Sequence, residues 1–168
     1  MIKKKFALVA LLLLFFNNIS YANTVSFVDI DFLINNSTIG KSILLKLENK
    51  DKENIKFLKE REKIIKKLES EIKNKQNVLS EKELEAEINT LKNKISEFNL
   101  EKNNIVKSFA SFKNKELKEV LDKFNKIIQN YMTENSIDIV LNKKNIFIGK
   151  NTSDITKKIL IEIENNLK

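Results

Sequence analysis

Between Gly40 and Gly149 the chain has no other glycine, and it has no proline anywhere. A stretch this long without either helix breaker must be mostly helix. In its second half the apolar residues step by three and four: Leu84, Ile88, Leu91, Ile95 and Phe98, then Ile105, Phe109 and Phe112. A narrow apolar seam of period near 3.5 is the mark of a coiled coil. The β-prone pieces Val25–Ile30, Ile137–Leu141 and Ile146–Ile148 lie at the two ends. An ordinary domain has no room for helices of this length. The expected fold is therefore mainly α with a small β part. A helical hairpin arm over 40–133 projects from a β-rich oligomerisation body made of 23–39 and 134–168.

Local signals divide the arm. Asn35-Asn36-Ser37-Thr38 is a polar break in which Ser37 or Thr38 can cap a helix that starts near Ile39–Lys41 and runs to about Asn77. Its seam is Leu44, Leu47, Ile55, Leu58, Ile65, Leu68 and Ile72, interrupted near Asp51 and at Arg61 or Glu62. The turn is expected at Val78–Ser80, because Ser80-Glu81-Lys82-Glu83 matches a capping box. Glu81, Glu83, Glu85 and Glu87 then complement the positive end of a second helix running to Thr133. After Phe112 the seam changes phase and resumes with Leu117, Leu121, Phe124, Ile128 and Tyr131, which marks where the arm joins the body. Two long helices on a short turn run antiparallel. At 1.5 Å per residue, about 40 residues give an arm of roughly 60 Å. The other arrangement, one continuous parallel coiled coil between chains, conflicts with the capping box.

At the ends, Val25 and Phe27 share one face of a strand, and Asp31–Ile34 reads equally as a short helix or as more strand. Ile137–Leu141, a turn at Asn142–Asn145 and a return strand at Ile146–Ile148 form an expected hairpin. Asp154 can cap a last helix whose Ile155, Ile159, Ile163 and Leu167 make one stripe. One strand, one hairpin and one short helix are too little to close a stable core. Val25, Phe27, Ile30, Ile137, Ile139, Leu141, Ile146 and Ile148 are accordingly expected to hold copies of the chain together.

Residues 1–22 read as an export signal: Lys3, Lys4 and Lys5, an apolar run from Phe6 to Phe16, and small residues at Ser20 and Ala22 before a cleavage point. An uncleaved anchor is the competing reading, but the run is short for a hydrocarbon core of about 30 Å. Of the +8 formal charge the three signal lysines contribute three and leave +5. That excess either attracts acidic partners and anionic surfaces or reflects a Lys-, Asn- and Ile-rich composition in which Arg61 is the one arginine. Clustered arginines with stacking aromatics, the signature of nucleic-acid binding, are lacking. With no His and no Cys, the usual general base, thiol nucleophile and most transition-metal sites are absent, and two glycines cannot make a phosphate-binding loop. No catalytic residue, metal or cofactor is expected. Asp29 and Asp31 are the one candidate carboxylate pair, and a solvated strand end is the plainer reading of them.

The ends of the chain resemble the Skp (OmpH) family of periplasmic chaperones. Val25-Ser26-Phe27-Val28-Asp29-Ile30 followed by Phe32-Leu33-Ile34 is similar to that family's opening strand. Ser136-Ile137-Asp138-Ile139-Val140-Leu141 is similar to the segment after the arm, and Ser153-Asp154-Ile155-Thr156 to the start of the last helix. The resemblance implies a homotrimer in which strands of three chains form a small β-barrel-like body and three arms surround a cavity. It implies a periplasmic, ATP-independent holdase for unfolded outer-membrane β-barrel proteins. Unlike the basic arm tips of the family, this tip carries Glu81, Glu83, Glu85 and Glu87 against Lys82, so only weak contact with an anionic membrane surface is expected. Lys56, Lys59, Lys63, Lys66 and Lys67 on the first helix are the expected client-binding residues. The rival is an envelope adaptor that docks a fixed partner by its coiled-coil hairpin.

Overall fold

The structure is a computed structural model that describes residues 24–167. The export-signal reading of residues 1–22 lies outside them. Strand β1 (Val25–Val28) leads into a short helix α1 (Ile30–Asn36), then into the long helices α2 (Thr38–Lys75) and α3 (Glu81–Glu134). Strand β2 (Ile139–Asn142) follows, then two single 3₁₀ turns and the last helix α4 (Thr156–Asn166). The chain is thus mainly helical with a small β part.

Each helix starts where a side chain replaces a missing backbone acceptor. Asp29 accepts from the Phe32 amide at 2.9 Å and turns the chain from β1 into α1, so Asp31–Ile34 is helix rather than strand. Ser37, fully buried, accepts from the Gly40 amide at 3.1 Å and starts α2. At the far end the capping box forms as its sequence requires: Ser80 accepts from the Glu83 amide, and Glu83 accepts from the Ser80 amide at 2.9 Å. A fourth cap joins distant residues. Glu164 of α4 accepts from the Thr38 amide at 2.6 Å and from its hydroxyl at 2.7 Å, which ties the last helix to the base of α2.

Those bonds from Thr38 hold the Glu164 carboxyl below the usual glutamate range. A carboxylate depressed in the folded state stabilises it above the unfolded pKa, and the contribution is lost as pH falls through the folded value. Glu164→Gln is expected to lower the Tm at neutral pH by a few degrees and to flatten the loss of stability on acidification. Thermal melts of both proteins across the carboxylate range check this, and parallel Tm–pH curves would sink it.

The two long helices run antiparallel. Moving up α2 from Lys46 to Arg61 moves the ion-pair partner down α3 from Glu116 to Glu101 by the same number of residues. At 1.5 Å per residue, the 38 residues of α2 span about 57 Å. Leu58, Ile65, Leu68 and Ile72 of α2 and Leu84, Leu91, Ile95, Phe98, Ile105, Phe109 and Phe112 of α3 are half-buried as the seam requires. Three residues expected in the seam, Leu44, Ile55 and Ile88, are exposed instead, and Ile43 packs against the core in place of Leu44. Asn54 is the half-buried residue where Ile55 was expected, because it continues the step of three and four from Leu47 to Leu58. Past Phe112 the inward line runs through Glu116, Val120, Phe124, Ile127 and Ile128, with Leu117 and Leu121 only half-buried.

The core gathers at the base of this pair. Val28, Leu33, Val120, Phe124, Ile127, Ile128, Ile155, Ile159 and Ile163 form one buried cluster, and Leu167 packs against it. The α4 stripe therefore faces inward as its spacing demands. Asp154 does contact the helix start, accepting from the Thr156 amide at 3.0 Å, although Ile155 occupies the cap position.

The sheet has two strands, paired in parallel from Val25 opposite Ile139 to Val28 opposite Asn142. It is open. The hairpin expected between Ile137–Leu141 and Ile146–Ile148 does not form. Lys143–Asn145 makes a 3₁₀ turn, capped by Asn142 accepting from the Lys144 amide at 3.0 Å, which carries the chain off the sheet edge. Residues 146–149 instead pass over Phe27, so closely that a Cβ on Gly149 would lie 2.8 Å from its ring. Phe147 and Ile148 are left outward.

Candidate functional site

No residue from Glu48 to Lys115 is fully buried. Most of the helical pair is surface, and its charges are sorted along it. On α2, Lys52, Lys56, Lys59 and Lys63 recur at steps of four, three and four, which places them on one stripe of the helix. With Ile55 and Glu60 they line an open groove of about 460 Å³. Lys52 pairs with Glu48 at 2.6 Å, one turn back. Lys56, Lys59 and Lys63 have no ion-pair partner among the described residues.

The five lysines singled out from the sequence therefore divide. Three share the groove. Lys66 pairs with Glu62 at 2.7 Å, a bond that raises the lysine pKa, and Lys67 pairs with Glu71 at 3.7 Å. Such exposed pairs within a helix contribute little to stability. They still occupy the ammonium groups.

Two further cations act between the helices rather than outward. Lys46 meets the buried carboxylate of Glu116 at 2.6 Å and lies 5.4 Å from the Phe112 ring centre. Arg61 meets Glu101 at 3.4 Å and stacks 5.1 Å from the Phe57 ring centre. Glu116 and Glu101 escaped sequence reasoning because a charged residue breaks an apolar pattern; the regular step to each position was the only available signal.

The second candidate surface is one face of the sheet. Val25 opposite Ile139 and Phe27 opposite Leu141 put four apolar side chains together. Phe27 is covered, whereas Val25, Ile139 and Leu141 are each about two-fifths exposed. Beside them Phe147 is fully exposed and Ile148 is 85% exposed. Of the other residues expected to join copies, Ile30 and Ile137 pack partly against the chain's own core, and Ile146 is half-buried near Gly149 and Phe27.

Asp29 and Asp31 do not form a carboxylate pair on a strand. Asp29 caps α1, and Asp31 forms an ion pair with Lys144. Asp29 lines a cleft of about 400 Å³ in which the other aspartate, Asp154, is bonded to Lys143 at 2.7 Å. Among the described residues no group of three or more potential ligands is placed to hold a metal ion, and no helix is long and apolar enough to cross a membrane.

Comparison with known proteins agrees with this architecture. No curated protein sequence matches the chain. Among solved structures, a protein of Caulobacter crescentus described as an OmpH-like outer membrane chaperone superposes with a TM-score of 0.79. That match covers 88% of this chain and 87% of the other at 16% identity, so it speaks to the fold alone. The family model described as "Outer membrane protein (OmpH-like)" matches residues 24–163, nearly the whole described chain, and on that match the chain belongs to the OmpH-like family.

Proposed function

We propose that the chain is an ATP-independent periplasmic holdase that takes unfolded outer-membrane β-barrel proteins between helical arms and keeps them from aggregating in transit. The observation that carries this reading is the unburied length of α2 and α3, which leaves a groove of unpaired lysines and scattered large apolar side chains facing solvent. Many weak contacts of this kind bind without fixing a sequence, and release needs no nucleotide when membrane insertion is more favourable. In this reading α2 and α3 form a coiled-coil arm, and residues 1–22 direct export and are removed.

The body is completed by other copies. Two strands cannot close a barrel, and the open sheet face offers Val25, Ile139 and Leu141 with Phe147 and Ile148 beside them. A homotrimer with a small shared barrel accounts for that face, and the OmpH-like fold supports it. Ile139→Asp is expected to dissociate the assembly, because a buried unpaired charge costs several kcal/mol. Light scattering on the variant checks this; an undiminished mass would rule out that face as the interface.

The holdase reading is tested by diluting an urea-unfolded outer-membrane protein into buffer with and without the mature chain. Suppressed turbidity with several different unfolded clients supports it. One saturable folded partner, with no protection of unfolded chains, would support an envelope adaptor instead.

A further inference from the structure

The three unpaired lysines are spaced in a way that selects among acidic chains. A helix rises 1.5 Å per residue, so Lys56 and Lys59 are about 4.5 Å apart along the axis, and Lys59 and Lys63 about 6 Å. An extended polypeptide presents side chains on one face every second residue, about 6.6–6.8 Å apart. Consecutive residues of that chain are about 3.3 Å apart and point to opposite faces, so contiguous acids cannot all face the groove. Acids at every fourth residue recur about every 13 Å and miss alternate lysines. Only alternate positions approach the lysine spacing, and flexible lysine stems take up the remaining ångström or two.

We infer that the α2 groove binds an extended segment of the pattern acid–x–acid–x–acid, one carboxylate to each of Lys56, Lys59 and Lys63. The inference rests on the holdase reading and names what its basic site prefers. Charge complementarity supports it: three ammonium groups without partners face a single carboxylate, Glu60, in the groove. The fourth lysine of the groove, Lys52, and the two beyond it, Lys66 and Lys67, are already engaged by glutamates of their own helix. The preference also suits a strand-forming client. Its side chains alternate between two faces, so acids confined to one face fall at alternate positions.

The test uses three dye-labelled peptides of identical composition, with three aspartates at alternate, contiguous or every-fourth positions. Fluorescence anisotropy is read with the full mature protein at about 10 mM salt, where the Debye length is about 30 Å. The alternating peptide is expected to bind about threefold to tenfold more tightly than the other two. Lys59→Gln with Lys63→Gln should abolish that preference. Lys73→Gln with Lys75→Gln removes the same charge outside the groove and should retain it. Equal binding of all three peptides, or equal loss in both double variants, would overturn the inference. Protection of an unfolded outer-membrane protein from aggregation is measured on the same preparation. Protection without a spacing preference overturns the inference and leaves the holdase reading intact. Absence of protection overturns that reading, and the inference with it.

Discussion

Gly40→Ala is expected to destabilise the fold by about 2–3 kcal/mol, although helix propensity alone predicts a gain approaching 1 kcal/mol. Gly40 lies in the first turn of α2 and is buried. A Cβ there would press on the backbone of Ile34, overlapping its carbonyl oxygen and lying 2.7 Å from its carbonyl carbon. Backbone cannot rotate aside as a side-chain tip can. The substitution must push α1 away from α2, and with it Leu33, which is fully buried in the core. Gly149→Ala is the comparison. Its Cβ would meet the Phe27 ring at 2.8 Å, and a ring edge can shift, so a loss below about 1 kcal/mol is expected. Urea denaturation at one fixed protein concentration measures both, because assembly contributes to apparent stability. A Gly40→Ala protein as stable as the parent would mean that the α1–α2 crossing is looser than described.

What the sequence makes legible follows from how local each signal is. Ser80 and Glu83 are three residues apart, and the box forms whatever else the chain does. The stripe Ile155, Ile159 and Ile163 carries its own period, and its inward face is buried. The Glu164–Thr38 cap joins residues 126 apart, and nothing near either one announces it. Ile146–Ile148 shows a different limit. Apolar β-formers at a chain end record a tendency, but a strand also needs a backbone partner, and the turn at Lys143–Asn145 removes these residues from one. Asn54 and Ile55 show a third: where apolar identity and heptad step disagree by one residue, the step decides, because neighbouring seam residues fix the helix rotation. The lysine groove was half legible. Helical spacing places all five lysines on one broad side, but Lys56 has Glu60 one turn on just as Lys67 has Glu71, so only the side-chain placement in the structure separates the free cations from the engaged ones.

Arms shortened by one heptad on each helix should protect large clients poorly and small ones normally. Lys66–Ile72 of α2 and Ile88–Lys94 of α3 occupy matching heights on the antiparallel pair, beyond the Arg61–Glu101 contact. Removing both keeps the seam in phase, so the pair should still fold. It also leaves Ser80 and Glu83 at the turn, the groove at Lys56, Lys59 and Lys63, and the whole core at the base. Each arm loses about 10 Å of a length near 57 Å. A space enclosed by arms shrinks with their length, whereas contacts made low on the arm do not. Aggregation assays across unfolded outer-membrane proteins of increasing size should therefore show protection falling above a size limit that the parent protein passes, with the mass of the assembly reduced only by the deleted residues. Uniform weakening across all sizes would place the lost binding in Lys66, Lys67 and their neighbours rather than in the enclosed volume. Equal protection of large and small clients would mean that they are held on the outside of the arms, and the cavity would have to be abandoned while the groove could stand.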